Sequence, residues 1–152
     1  YASRNEAEEE KRQEAQERAE SEAGAVQLAA DGDRAFAEGD YSSADAYYAM
    51  ALEKYQEMGD DVHAELIRTK IDSSGQKGQE AEEKKQQAEA YMEAAKAREA
   101  EGNRLEAKKQ YLFAKNIYRE LKMDEKVAEI DGLLEILETG MEQEEAAVIP
   151  VE

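Results

Sequence analysis

Small and apolar residues recur along the chain at spacings of three and four, which is the period of an amphipathic helix. The clearest run is Ala44, Tyr48, Ala51 and Tyr55. Because most of the chain follows this period, we expect an all-α fold. The predicted helices cover about 25–38, 41–58, 61–73, 79–101, 103–121 and 124–138.

The helical pattern occurs twice, at a fixed interval of 63 residues that separates Gly39 from Gly102 and Tyr48 from Tyr111. A fixed period is the sequence signature of a repeat architecture. Each glycine is expected to take the left-handed conformation that ends a helix. The small residues allow helices to approach closely, and the tyrosines fill the wider gaps. The predicted core positions are Leu28, Gly32, Gly39, Ala44, Tyr48, Ala51 and Tyr55, then Tyr91, Ala95, Gly102, Ala107, Tyr111, Ala114 and Tyr118.

The interval of 63 residues holds three predicted helices, so the repeating unit is longer than one hairpin. Residues 2–23 contain no bulky apolar side chain and predict a long polar helix that continues into the first unit. The serines and glycines of residues 73–78 predict the clearest break in the chain. The expected organisation is a polar extension or stalk (1–24), a first unit (25–75), a polar connector or helix start (76–87), a second unit (88–139) and a tail (140–152).

The repeated pattern resembles the tetratricopeptide repeat (TPR) family, in which a large residue and a small pair precede Ala-x-x-x-aromatic and a closing proline. Gln56 and Arg119 replace that proline, so the second helices are expected to be longer than usual, and Asp31, Ala35 and Arg98 also depart from the pattern. The resemblance implies a right-handed solenoid of helical hairpins. It is carried by Leu28, Asp31-Gly32, Ala44-x-x-x-Tyr48 and Ala51-Leu52, and by Tyr91, Ala94-Ala95, Ala107-x-x-x-Tyr111 and Ala114.

The TPR resemblance also implies where a partner binds, because the first helix of each hairpin lines the groove of such arrays. Family members that bind the acidic tails of chaperones use lysine and asparagine where this chain has Ala29 and Asp33. That activity is not expected here, since Asp33 would repel a ligand carboxylate. The implied groove residues are Ala29, Asp33 and Phe36 in the first copy, and Met92, Lys96 and Glu99 in the second.

Composition narrows the classes of partner. The chain has 152 residues, a length typical of one domain, and a net charge of −18. This charge argues against nucleic acid and against adsorption to anionic membranes, so we expect a protein or peptide partner. No apolar run approaches the roughly 20 residues of a membrane helix, and no direct membrane insertion is expected. Because the chain begins at Tyr1 and not at methionine, we expect a fragment of a longer protein, either cytoplasmic or the exposed domain of a membrane-anchored one.

One segment departs from the general acidity. Residues 103–122 carry six basic residues against two acidic ones, and Asn103 is a candidate helix cap. Five of the basic residues fall on one stripe of a helix. The stripe either pairs with acidic helices of the same chain or docks an acidic partner segment. Its members are Arg104, Lys108, Lys115, Arg119 and Lys122.

Candidate chemistry is sparse. His63 is the only histidine, and the chain has no cysteine to complete a metal site. Asp31-Gly32-Asp33 begins like a calcium loop, but Ala35 and Ser42 stand where ligands are needed. We therefore expect no metal, no cofactor and no catalytic residue.

We consider three functions. The first, which the TPR resemblance implies, is a non-catalytic protein-interaction or scaffold module that binds a peptide or a partner helix in a TPR-like groove. The second is the sensory or regulatory domain of a membrane-anchored signalling protein. The third is self-assembly, as a homodimer, through helix 124–138, where Leu133 and Ile136 widen the apolar stripe beyond what one neighbour covers.

Overall fold

The computed structural model of the chain describes residues 2–147, except for the side chain of Ala2. The described part is helical between short turns and contains no strand, which confirms the all-α prediction. It has five helices and not six. These are α1 (Ala2–Ala37), α2 (Tyr41–Glu57), α3 (Asp61–Ala100), α4 (Arg104–Glu120) and α5 (Asp124–Ala147).

The helix count differs because the predicted break at 73–78 is wrong: that segment is helical, and so are residues 76–87, which were predicted as a polar connector or helix start. One helix, α3, continues through both segments. A helical glycine costs only about 1 kcal/mol relative to alanine, which surrounding packing offsets. Ser74 is fully buried and its Oγ donates to the Tyr41 carbonyl at 3.2 Å. A Cβ atom on Gly78 would lie 3.3 Å from Tyr41 Cβ, so this glycine allows close packing and does not break the helix.

The last helix is also longer than predicted. Gly140 was expected to stand beyond its end, but α5 continues to Ala147. The start of the predicted tail is therefore helical. Its remaining part, residues 148–152, lies outside the described residues.

The chain divides into two compact units, Tyr1–Gln79 and Glu80–Glu152, here called unit 1 and unit 2. Unit 1 contains α1, α2 and the first part of α3, and unit 2 contains the rest of α3 with α4 and α5. Helix boundaries repeat with the 63-residue interval. The 17-residue helices α2 and α4 begin at Tyr41 and Arg104, and α3 and α5 begin at Asp61 and Asp124.

The turns before α2 and α4 have the same construction. Gly39 and Gly102 have φ angles of 81° and 80°, values that a residue with a Cβ atom rarely adopts. The next residue caps the following helix in each case. The Asp40 side chain accepts from the Ser43 amide at 3.1 Å, and that of Asn103 accepts from the Glu106 amide at 3.3 Å. Asn103 is therefore the cap that the sequence predicted.

Each unit has its own core, built from matching positions. Every alanine in the two repeat patterns has no exposed surface, and the tyrosines between them are at most 4% exposed. Leu28 and Tyr91 are half-buried and pack against the edge of these cores. The matched residues are Ala44, Tyr48, Ala51 and Tyr55 in unit 1, and Ala107, Tyr111, Ala114 and Tyr118 in unit 2.

Candidate functional site

The groove residues implied in unit 1 are engaged within that unit. Asp33 accepts a hydrogen bond from the Tyr48 hydroxyl at 2.6 Å and one from Lys70 Nζ at 2.8 Å. Partial burial opposes ionisation of Asp33, but these two bonds outweigh it and hold the pKa of the carboxyl below its ordinary value. Phe36 packs edge-to-face on Tyr41, with ring centroids 5.3 Å apart. The three helices of unit 1 are therefore joined by a polar cluster beside an aromatic pair.

In unit 2 the equivalent tyrosine, Tyr111, interacts with an acidic residue at a different position of the repeat. Burial, and then a hydrogen bond with Glu99, raise the pKa of Tyr111 to about 12. Glu99 corresponds to Phe36, whereas the residue that corresponds to Asp33 is Lys96. Lys96 instead forms an ion pair with Glu93 at 3.8 Å. The two units thus keep the tyrosine and change the residues around it.

Two of the implied groove residues face away from solvent in part or in full. Met92 is 8% exposed and lies in the core of unit 2, so its assignment to a groove is corrected. The reason is that α3 packs against α4 on the face that carries Ala88, Met92 and Ala95. Ala29 is half-buried and packs against the core of unit 1.

The basic stripe of α4 pairs with acidic residues of α5. Lys108 Nζ lies 3.1 Å from Glu138 Oε1, and Lys115 Nζ lies 2.5 Å from Asp131 Oδ1. A third pair joins Arg104 to Glu144 and completes an antiparallel ladder. These contacts show pairing within the chain for Arg104, Lys108 and Lys115. Arg119 is exposed and forms no ion pair with the residues that the structure describes.

A groove of about 580 Å³ lies in unit 2 beside the start of α4. Arg104 stands at its edge, with Nη1 donating to the Gly140 carbonyl at 3.3 Å. The apolar part of the lining includes Ile136, which is 73% exposed. We call this site the unit 2 groove. Its lining residues are Glu99, Arg104, Glu135, Ile136, Leu137, Thr139, Gly140 and Gln143.

The unit 2 groove is absent from the sequence-based expectations, which assigned Glu99 to a groove face and Arg104 to a charge stripe. Its signal was nevertheless present in the duplication. The equivalents of Glu99 and Arg104 are Phe36 and Tyr41, so both positions change from aromatic to charged between the copies. Comparing the two copies across the 63-residue interval singles out these two positions, although not the α5 residues of the site.

A second exposed surface in unit 2 is aromatic. The rings of Tyr91 and Phe113 lie 5.3 Å apart with a 43° tilt, beside a groove of about 320 Å³. Lys84 and Glu120 border it and form an ion pair at 3.3 Å. This surface combines apolar area with charges that are already balanced.

The candidate metal-binding residues do not converge. Across residues 2–147, no group of three or more histidine, aspartate or glutamate side chains could hold a metal ion. His63 has a local structural role: its Nδ1 lies 2.7 Å from Asp60 Oδ2, and its ring stacks on Tyr55 with centroids 5.0 Å apart. None of the helices described has the length and apolar composition needed to cross a membrane.

Comparison of the chain with models of known families, with curated proteins and with solved structures finds no match.

Proposed function

We propose that this chain is a non-catalytic protein-interaction module, built from TPR-like helical hairpins that belong to a right-handed solenoid. The observation that carries the proposal is the contrast between core and surface in the duplication. Ala44, Ala51, Ala107 and Ala114 are all fully buried, so the scaffold is the same in both copies. Repeat proteins of this kind hold a common core and use their surfaces for binding.

The exposed positions of the two units differ in chemistry. Asp33 in unit 1 becomes Lys96 in unit 2, and Phe36 becomes Glu99. Unit 2 carries an open groove with Ile136 exposed at its edge, and a separate aromatic surface at Phe113, which is 47% exposed. Apolar patches rimmed by polar residues are typical of surfaces that bind other proteins. These features support a peptide or a helix of another protein as the ligand.

A selection from a random peptide library tests this function without assuming which surface binds. The immobilised chain should enrich peptides of related sequence, and their synthetic versions should bind it saturably in fluorescence anisotropy. A heat-unfolded sample of the same chain is the control for binding that does not depend on the fold. The proposal is contradicted if repeated selection enriches no sequence, or if the enriched peptides bind the unfolded chain equally well.

A further inference from the structure

The internal duplication provides a direct comparison for the unit 2 groove. In unit 1, the side chains of Phe36 and Tyr41 meet edge-to-face at this place, and Tyr41 is packed further against Ser74 and Gly78. In unit 2, Glu99 and Arg104 occupy the two aromatic positions and line an open groove. The chain's own aromatic pair thus occupies these two positions in one copy, and charged side chains line a groove there in the other.

The charged residues that line the unit 2 groove indicate which kind of ligand it binds. The charge of Arg104 is balanced by its ion pair with Glu144. Glu99 and Glu135 contribute two carboxylates, and Glu135 forms no ion pair with any other described residue. Glu99 lies close enough to the Tyr111 hydroxyl to raise the pKa of Tyr111, and its two carboxylate oxygens offer further acceptor positions. The groove therefore combines a net negative charge with the exposed apolar side chain of Ile136.

We propose that the unit 2 groove binds a partner segment that carries an apolar side chain beside a lysine or arginine. The apolar side chain packs on Ile136, and the cation lies against Glu99 and Glu135. This inference rests on the proposed function, since it names the chemistry of the ligand and the place where it binds. The net charge of −18 favours the approach of such a basic segment over a distance.

A second copy of this chain fits the groove poorly, although Ile136 lies on the helix predicted to mediate self-assembly. Between Asp124 and Ala147, α5 carries nine carboxylates and a single basic residue, Lys126. Two such helices brought together would place like charges against each other, which is unfavourable. The basic stripe of α4 does not offset this, because Arg104, Lys108 and Lys115 already pair with α5.

The test uses a labelled amphipathic helical peptide of leucine and lysine, about 15 residues long, and a matched peptide of leucine and glutamate. Glu99→Phe combined with Arg104→Tyr places the aromatic pair of unit 1 in the groove and leaves the net charge at −18. Nonspecific attraction of the basic peptide is therefore unchanged in this double variant. Ile136→Ser removes apolar surface without touching a buried residue. Val62→Ser, at a residue that is 72% exposed in unit 1, is its control.

We expect the leucine–lysine peptide to bind the unaltered chain and the leucine–glutamate peptide not to bind. Both the double variant and Ile136→Ser should weaken binding about tenfold or more, and Val62→Ser should leave it unchanged. Circular dichroism tests whether each variant is folded. If the double variant is unfolded, Ile136→Ser alone tests whether the peptide binds in the groove. Light scattering at two concentrations reports self-association.

Three results would overturn the inference. One is no binding of the leucine–lysine peptide, and another is binding to all variants with equal affinity. The third is a dimer that only the groove variants dissociate, which would make a second copy the ligand. In each case the library selection described above reports separately on the wider function, because it also detects peptides that bind elsewhere on the chain.

Discussion

Gly32 and Tyr48 meet where α1 packs against α2: a Cβ atom at position 32 would lie 2.5 Å from Cε1 of the tyrosine ring and 2.6 Å from Cδ1. The ring has no room to retreat, because Tyr48 is 2% exposed and its hydroxyl is held by Asp33. The equivalent residue in unit 2 is Ala95, which is fully buried. The first unit thus requires closer helix contact at this position than the second.

Gly32→Ala should destabilise the protein, even though alanine is the better helix former by about 1 kcal/mol. The overlap with the Tyr48 ring should cost more than this gain, for a net loss of about 1–3 kcal/mol in the free energy of unfolding. Gly75→Ala is the matched control, because no heavy atom lies within 4 Å of the added Cβ. That variant should be more stable by about 0.5–1 kcal/mol. Urea denaturation measures both, and equal stabilisation by the two changes would contradict the contact.

The two units differ in backbone strain at their second turn. Gly59 has a φ angle of 70°, whereas the equivalent Lys122 has a φ angle of 57°, a left-handed conformation that is costly for lysine. Lys122→Gly should therefore stabilise the protein by about 0.5–1 kcal/mol, and Gly59→Ala should destabilise it by about 1–2 kcal/mol. Thermal unfolding of the two variants shows whether each change raises or lowers the melting temperature. A fall in melting temperature for Lys122→Gly would show that the lysine side chain matters more than its strain.

The buried alanines of the repeat should not accept larger residues. Ala51 and Ala114 have no exposed surface, so replacing either with leucine should overpack the helix contact and cost about 1–3 kcal/mol. Ala97 is exposed in α3, and Ala97→Leu should stay within about 0.5 kcal/mol of the unaltered chain. Chemical denaturation compares the three variants. An unchanged midpoint for Ala51→Leu and Ala114→Leu would argue against the hairpin contacts.

Alkaline pH should destabilise the fold through Tyr111. Its pKa is about 12 in the folded protein, against about 10 for a tyrosine in an unfolded chain. The folded state therefore holds the phenol proton more tightly. The resulting contribution to the free energy of unfolding is fully present below pH 10. It is lost as the pH rises from about 10 to 12. Tyr111→Phe should show a weaker dependence of stability on pH in this range.

The pKa itself can be followed by NMR of the tyrosine ring carbons. Glu99→Gln removes the negative charge beside the hydroxyl and should lower the pKa of Tyr111. Burial, which is the larger cause of the shift, remains in that variant, so the value should stay above that of an unfolded chain. If the pKa of Tyr111 is the same in Glu99→Gln as in the unaltered chain, Glu99 has no influence on that pKa.

The parts of the fold that sequence reasoning predicted are those that the 63-residue interval defines. The glycine turns, the Asn103 cap and the spacing of buried alanines and tyrosines each depend on local geometry, which a repeated pattern reveals. The continuity of α3 was not predictable in this way. Gly78 and Ser74 predict a break, because the sequence does not show their packing against Tyr41, a residue distant along the chain.

The candidate site was less predictable for a related reason. Whether Met92 faces a groove or the core depends on how α3 packs against α4. Whether the basic stripe is available depends on the register of α5, which places Asp131 and Glu138 beside Lys115 and Lys108. Both are contacts between helices, and helical periodicity in one segment carries no information about the register of another.

The central claim is that this chain binds a partner segment in the unit 2 groove. Its most direct test is an amide NMR spectrum of the isotope-labelled chain, recorded with and without a peptide enriched from the library. The account predicts that the largest shifts occur at Glu99, Arg104 and the part of α5 around Ile136. Shifts confined to Tyr1–Gln79, or no shifts at a saturating peptide concentration, would contradict it.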